Sequence, residues 1–466
     1  VNDCQAKVIV TADGLFRRGK EISMLKEVEQ LAELCPSLEH YIVVDRLGKE
    51  TNKDHYLSYR EWIDAQASDC ELVELSSEDP CLLIYTSGTT GKPKGTRHVH
   101  AGFPLKAAQD LRYAFSFGRD DRLFWVTDMG WMMGPWMIFG ALLLGGTALL
   151  FEGTPDYPEP DRLWKIVEDH QVTYLGVSPT LVRLLMGQGT KWLDSYNLSS
   201  LKAFGSTGEP WNPKPWQWLY HQVGKGRCSI LNYSGGTEIS GGILGCFPGL
   251  PQKPGSFHGP IPGMVVDILD KKGESVRQGV GELVIKKPWP GMTRGFWGDQ
   301  KNERYEKAYW HKHSDIWVHG DWSRTDEDDF WYIEGRSDDT LNIAGKRIGP
   351  AEYESALVAH PKVVEAATIG VPDPIKGTAA VCFVVTNEES SADETLSEEL
   401  KDWVAQKLGK PLKPSKIFRI RELPRTRNGK IMRRVIRSVY LGDDTGDLSS
   451  LENHDALKEI QELGRK

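Results

Sequence analysis

Cysteine is scarce and unpatterned. The seven cysteines stand at positions 4, 35, 70, 81, 228, 246 and 382 of 466 residues. The number is odd and no Cys-x-x-Cys pair occurs, which argues against a disulfide framework and for a reducing, cytoplasmic compartment. A strong charge imbalance is also missing. A formal net charge of −8 over this length argues against a general nucleic-acid partner, but leaves room for one polyanion in a local basic site. No signal peptide, internal repeat or low-complexity tract is visible. One long apolar run invites a membrane reading: residues 129–151 carry no charge and could span a bilayer. Gly130, Gly134, Pro135, Gly140, Gly145 and Gly146 interrupt it. The run reads instead as a loop, a buried helix near 135–144, a Gly-Gly turn and a strand at 147–151, with no membrane partner.

What is present suits a loop-rich globular enzyme: 10% aromatic residues, 16 of them Trp, and 47 Gly. The length allows two or more domains. The chain starts at Val1 and runs at once into Ala6-Lys7-Val8-Ile9-Val10-Thr11, which resembles a domain interior, so an N-terminal portion is expected to be absent. Residues 1–45 read strand, helix, strand, with a basic turn at Arg17-Arg18-Gly19-Lys20. From 81 to 240 strand and helix patterns alternate, with strands at 123–126, 147–151, 172–177, 201–204 and 228–231 and helices at 163–170 and 179–186. Such alternation predicts parallel sheets covered by helices, with ligands at the strands' carboxyl ends. Short strands and turns follow to residue 330. The expected fold class is α/β and multidomain. A large helix-covered β-sheet domain with a small β-rich subdomain spans 1–336. A small mobile C-terminal α/β domain spans 337–445, and a polar, peripheral tail spans 446–466.

The chemistry centres on Tyr85-Thr86-Ser87-Gly88-Thr89-Thr90-Gly91-Lys92-Pro93-Lys94-Gly95, which follows the apolar run 81–84. Glycines let backbone N–H groups approach phosphate oxygens, hydroxyls add donors, and lysines offset charge. No acidic residue stands between Thr86 and Arg97. The spacing is not that of the Walker loop, because Gly88 and Gly91 are two residues apart and Pro93 follows Lys92.

These eleven residues resemble the phosphate-binding signature of the AMP-forming adenylating enzymes, which include acyl-coenzyme A synthetases, luciferases and the adenylation domains of peptide synthetases. Four further segments match in order, so the resemblance covers essentially the whole chain. Gly205-Ser206-Thr207-Gly208-Glu209-Pro210 implies that Gly208, Glu209 and Pro210 wall the adenine. Asn232-Tyr233-Ser234-Gly235-Gly236-Thr237-Glu238 implies Tyr233 against adenine, Thr237 on phosphate and Glu238 at Mg²⁺. His319-Gly320-Asp321-Trp322, with Arg336, Asp338, Gly345 and Arg347, implies ribose held by Asp321 and charge neutralised by the two arginines. It also implies a domain hinge at Asp338. Pro424-Arg425-Thr426-Arg427-Asn428-Gly429-Lys430 places the catalytic lysine at Lys430, among six basic residues and no acid from Arg425 to Arg437.

The implied chemistry is activation of a carboxylic acid by ATP and Mg²⁺ to an acyl-adenylate, then acyl transfer to coenzyme A. Lys430 would offset charge at the α-phosphate, and acetylation there would remove that charge. After adenylation the small domain would rotate, with Gly345 lining the thiol path and Arg17 and Lys20 meeting the coenzyme A phosphates. Thr11-Ala12-Asp13-Gly14, Pro155-Asp156-Tyr157-Pro158 and Ile431-Met432-Arg433-Arg434 resemble the acetyl-coenzyme A synthetase branch. Two positions depart from it. Gly235 stands where acetate-specific members carry Trp. Ala405 stands where they carry an Arg for coenzyme A, with Lys407 nearby as a substitute. Met132, Met133, Thr207 and Gly235 would then surround an apolar tail longer than acetate's, so a short- to medium-chain acid is expected. Acetate as the true substrate, a carrier protein as acceptor, and an inactive ATP-binding chain are the alternatives. Arg17, Lys20 and the acetate-branch motifs count against the carrier.

Overall fold

The computed structural model describes residues 1–49, 56–86, 93–313, 315–337, 339, 341–343, 346–373, 377–387, 393–426 and 429–465. Its centre is a seven-stranded sheet in the order Gly259–Pro260, Gly241–Gly245, Ser229–Gly236, Ala203–Ser206, Tyr174–Val177, Arg122–Trp125 and Thr147–Leu149. The five strands from Ser229–Gly236 to Thr147–Leu149 are parallel, and the first two add an antiparallel margin. Successive residues of a strand face opposite ways, and this sheet uses both faces. Phe124, Leu175, Phe204 and Ile230 enter one core with Leu163, Trp164 and Val167 of the helix Arg162–Asp169. Their neighbours Trp125, Tyr174, Ala203 and Leu231 enter a second core with Phe103, Leu111, Trp136 and Trp317. That two-sided burial is why these strands read as apolar runs without alternation.

The charge-free run folds as expected into the helix Met133–Leu143, a Gly-Gly turn and the strand Thr147–Leu149. Among the described residues no helix is long and apolar enough to cross a membrane. The N-terminal stretch forms a small parallel sheet, Val8–Ala12, His40–Val44 and Tyr56–Ser58. Buried Asp13 ties it off by accepting from the backbone N–H of Arg46, Leu47 and Lys49 at 2.9–3.0 Å. The basic turn caps a hairpin, Gly14–Arg17 with Lys20–Ser23.

Two expectations are corrected here. The apolar run before the glycine-rich loop does not join the parallel sheet. It forms an antiparallel ribbon, Pro80–Thr86 with Lys94–Val99, so the loop joins two antiparallel partners. The strand read at 228–231 likewise does not stop there, and pairing continues through Gly236 into a hairpin with Gly241–Gly245.

The β-rich part is an antiparallel sheet of Val266–Leu269, Val280–Ile285, Trp317–Thr325 and Trp331–Arg336. The C-terminal sheet is built on Val363–Asp373 and Gly377–Thr386. The helices Pro350–Val358 and Asp393–Leu408 cover one face through Tyr353, Leu357, Leu396 and Leu400. Arg433–Leu441 and Asp455–Gly464 cover the other through Ile436 and Ile460. The last helix lies in the segment expected to be a peripheral tail. Its Ala456 and Ile460 are buried, as is Leu451, so the segment is packed into the small domain through these side chains and is not peripheral.

Candidate active site

The site gathers where the hairpin Ser229–Gly236/Gly241–Gly245 meets the strands Trp317–Thr325 and Trp331–Arg336. Glu238 is the middle residue of a single helical turn, Thr237–Ile239, just past the sheet. The Tyr309 hydroxyl donates to Glu238 Oε1. The Tyr309 ring stacks on Trp317, with centroids 3.9 Å apart and planes at 9°. Burial, then the Glu238 carboxylate, pushes the Tyr309 phenol well up, so it stays a donor. Glu238 Oε2 lies toward Gly236, on whose missing side chain His319 also encroaches: a β-carbon there would sit 3.1 Å from His319 Cε1. Burial drives the His319 imidazole down, against Asp321, which raises it, and its Nε2 lies 3.6 Å from Asp321 Oδ2. Asp321 and Arg336 face each other across the strand pair, with Arg336 Nη1 3.3 Å from Asp321 Oδ1 and 3.2 Å from the His319 carbonyl. Among the described residues no three or more metal-ligating side chains cluster. One carboxylate, with Oε1 held by Tyr309, fits a Mg²⁺ whose other ligands would be triphosphate oxygens and water.

Lys430 belongs to the small domain, yet it answers to the same charges. Burial desolvates its ammonium and lowers its pKa. Arg336 and then Arg433 lower it further, while Asp321 and Asp339 raise it. The residue as a whole remains exposed. Gly429 before it is held at φ +78°, and a β-carbon there would touch Thr180 Cγ2 of the large domain at 3.2 Å. The tip carrying Lys430 is thus seated on the large domain. Asn212 and Ser355 add an interdomain bond of 3.0 Å.

Other predicted residues take different positions. Tyr233 does not offer a ring to adenine. It is 2% exposed, packed edge-on against Phe115 and close to Trp136, and its hydroxyl donates to buried Asp110 at 2.5 Å. Strand alternation turns it into the core. Asn232 is buried and donates to the Ser256 carbonyl at 3.2 Å. Ser234 and Thr237 remain half-buried. Gly235 does not open onto an acyl tail, because a β-carbon there would lie 1.9 Å from the Gly241 carbonyl oxygen. Of the other three pocket residues, Met133 is buried in the core, whereas Met132 and Thr207 are half-buried at the strands' carboxyl ends. The Trp125 indole fills the sheet surface beneath them: β-carbons on Gly176 and Gly205 would lie 2.0 and 2.6 Å from it.

Gly208 has φ +101° with open space beside it, and Pro210 is exposed. Glu209 turns inward to pair with Arg183 at 2.9 Å and accept from the Thr180 N–H at 2.8 Å. Burial alone would raise its carboxyl, but Arg183 and Thr180 outweigh that and lower it. These bonds brace the loop 205–210 against the helix Pro179–Gly187. Thr86 ends its strand half-buried. Lys94, beyond the loop, points over Phe296 and Tyr309 at 5.2 and 5.9 Å. Ser87, Gly88, Thr89, Thr90, Gly91, Lys92, Asp338 and Gly345 lie outside the described residues, as does the side chain of Arg347. Arg17 pairs with Glu452, and Lys20 is exposed in the same hairpin. Tyr309, Arg183 and Glu452 had no motif to reveal them. His319 stood inside a recognised motif, but its spacing gave no sign of its neighbours.

The chain matches the AMP-binding enzyme family over residues 1–297 and the AMP-binding enzyme C-terminal domain over residues 352–430. An acetyl-coenzyme A synthetase of Rubrobacter xylanophilus is 41% identical over 469 residues, covering 99% of this chain and 72% of that protein. One of Pyrobaculum arsenaticum is 40% identical over 472 residues, covering 99% and 70%. Among solved structures, an acetoacetyl-CoA synthetase from Streptomyces lividans superposes with a TM-score of 0.89 at 29% identity, over 99% of this chain and 71% of that one. An anthranilate CoA ligase solved with anthranoyl-AMP superposes with a TM-score of 0.79 at 26% identity, over 94% and 78%.

Proposed function

The chain belongs to the AMP-binding enzyme family, and on that footing we propose that it is an AMP-forming acid–thiol ligase. It joins a short- to medium-chain carboxylic acid, acetate included, to coenzyme A through an acyl-adenylate. The observation that carries this reading is the position of Lys430, a small-domain ammonium within electrostatic reach of Asp321 and Arg336 of the large domain.

A carboxylate and a triphosphate repel each other, so the first step needs fixed positive charge where they meet. Lys430 supplies it from one side and Arg336 from another. Asp321 accepts the ribose hydroxyls. The loop from Thr86 to Lys92 and Thr237 hold phosphates, with Gly208 and Pro210 beside the adenine. Glu238, oriented by Tyr309, takes Mg²⁺, which when bound offsets charge on the departing pyrophosphate. Met132 and Thr207 border the acyl tail. In the second step the small domain turns about Asp338 and withdraws Lys430. Gly345 then lines the thiol path, and Arg17 and Lys20 meet coenzyme A phosphates. Acetylation of Lys430 would abolish its charge and with it the first step. Seven free cysteines support a cytoplasmic setting.

The test is acid-dependent exchange of labelled pyrophosphate into ATP without coenzyme A, followed by AMP release and thioester formation when coenzyme A is added. A panel from acetate to hexanoate identifies the acid. Release of ADP and phosphate, or exchange that needs no acid, overturns the reading.

A further inference from the structure

Arg17 is already engaged in this domain arrangement. Its Nη2 donates to Oε1 of Glu452, which follows the small domain's buried Leu451. The two side chains, each one-third exposed, border a cleft of ≈ 670 Å³ that Arg18, Trp125, Thr180, Arg425 and Gly429 also line. Neither partner is loosely held. On the large domain, Arg18 grips Asp156 with bonds of 2.8 and 2.9 Å. Gly19 packs so tightly on Tyr157 that a β-carbon would lie 2.2 Å from its hydroxyl. On the small domain, the Glu452 N–H donates to the Arg425 carbonyl at 2.9 Å. Asn453 Oδ1 accepts from the Arg425 N–H at 3.0 Å, and Leu451 bridges Thr426. The same segment turns back on itself: Arg425 bridges Ile431, and the Thr426 N–H donates to the Lys430 carbonyl at 2.9 Å. Glu452 and Lys430 are therefore two ends of one hydrogen-bonded unit. Anchoring Glu452 on Arg17 also anchors Lys430 beside Asp321.

We propose that Glu452 is a positioning residue whose carboxylate occupies the anion subsite at Arg17 while Lys430 is engaged, and that a phosphate of the thiol substrate displaces it. This rests on the reading of Arg17 as a coenzyme A phosphate contact. One guanidinium fork cannot serve a carboxylate and a phosphate in full at once. A pair open to water is weak enough for a doubly charged phosphate to exchange for it. The exchange frees the unit that carries Lys430 just as the thiol arrives, so adenylation and thiol binding compete at Arg17.

Glu452→Gln keeps the shape and removes the charge. It should lower acid-dependent ATP–pyrophosphate exchange by roughly two- to five-fold, the scale of a part-exposed ion pair. It should also lower the coenzyme A concentration that half-saturates thioester formation from supplied acyl-adenylate. The charge-swapped protein Arg17→Glu/Glu452→Arg should regain exchange while its coenzyme A saturation stays weak. Glu452→Gln with both quantities unchanged overturns the proposal, as does a swapped protein that regains neither while melting at the wild-type temperature. If Arg17→Gln leaves coenzyme A saturation untouched while Glu452→Gln still lowers exchange, the anchor stands and the phosphate reading of Arg17 falls.

Discussion

A β-carbon on Gly235 would lie 1.9 Å from the carbonyl oxygen of Gly241 and 2.7 Å from the Cα of Gly242. The register of the hairpin shifts between Ser234 and Gly235, and the two strands approach closely there. Both obstacles are backbone, which cannot swing aside. The glycine therefore permits a strand contact, and the space beside it is filled. Gly235→Ala should cost roughly 1–3 kcal/mol or more by overpacking, read as a fall in the thermal midpoint. Gly235→Trp should lower adenylation of acetate and butyrate together, leaving the ratio of their kcat/KM values within about twofold. A stable Gly235→Trp protein that switches to acetate would show that the position faces the acyl tail after all.

That glycine marks the boundary of what the sequence could tell. Strand patterns were legible because burial on both sheet faces leaves apolar runs, and the helix read at 179–186 begins where the Ser178 hydroxyl accepts from the Leu181 N–H at 3.1 Å. Asp321, Arg336, Glu238 and Lys430 were legible as motif residues, and they converge. What a motif does not encode is the direction of each side chain. Tyr233 and Gly235 sit in a matching segment, but strand alternation and the register shift turn one into the core and the other onto Gly241. Contacts between distant segments, such as Tyr309 with Glu238 or Arg17 with Glu452, leave no local pattern at all.

Tyr309 fixes one oxygen of Glu238, and its ring is held independently by Trp317. Tyr309→Phe should keep the stack and lose the bond. Hydrogen bonds to charged groups are worth about 1.5 kcal/mol or more, so the Mg²⁺ concentration that half-saturates pyrophosphate exchange should rise roughly tenfold. An unchanged Mg²⁺ titration would remove Glu238 from the metal's neighbourhood.

His98 is buried, and its Nδ1 lies 3.0 Å from Ser240 Oγ. Burial pushes its pKa down to about 3 from 6.5. Between those values the unfolded chain takes up a proton that the folded chain refuses, so stability falls as pH drops from 6.5 toward 3. The slope for this one group is about 1.4 kcal/mol per pH unit at full titration of the unfolded form. His98→Gln should flatten the dependence of the thermal midpoint on pH in that window. An equally steep dependence in the variant would assign it to other groups.

The lowered pKa of Lys430 carries a sign as well. Its charged form is the useful one, and that form is lost as pH rises through the depressed value. The kcat/KM for adenylation reports the free enzyme, so its alkaline limb should fall below the ordinary lysine value of 10.5. Lys430→Arg, if active, should push that limb upward, because guanidinium does not titrate there. A limb that does not move belongs to another group.

The most direct measurement separates the two half-reactions in Lys430→Ala. Acyl-adenylate formation, followed by single-turnover release of pyrophosphate, should fall by roughly 10²–10³-fold, the scale of losing one preorganised charge at the transition state. Thioester formation from supplied acyl-adenylate and coenzyme A should stay within about twofold of wild type, because by then Lys430 has left the site. Equal losses in both half-reactions, or an unimpaired first one, would contradict the assignment of Lys430 to adenylation.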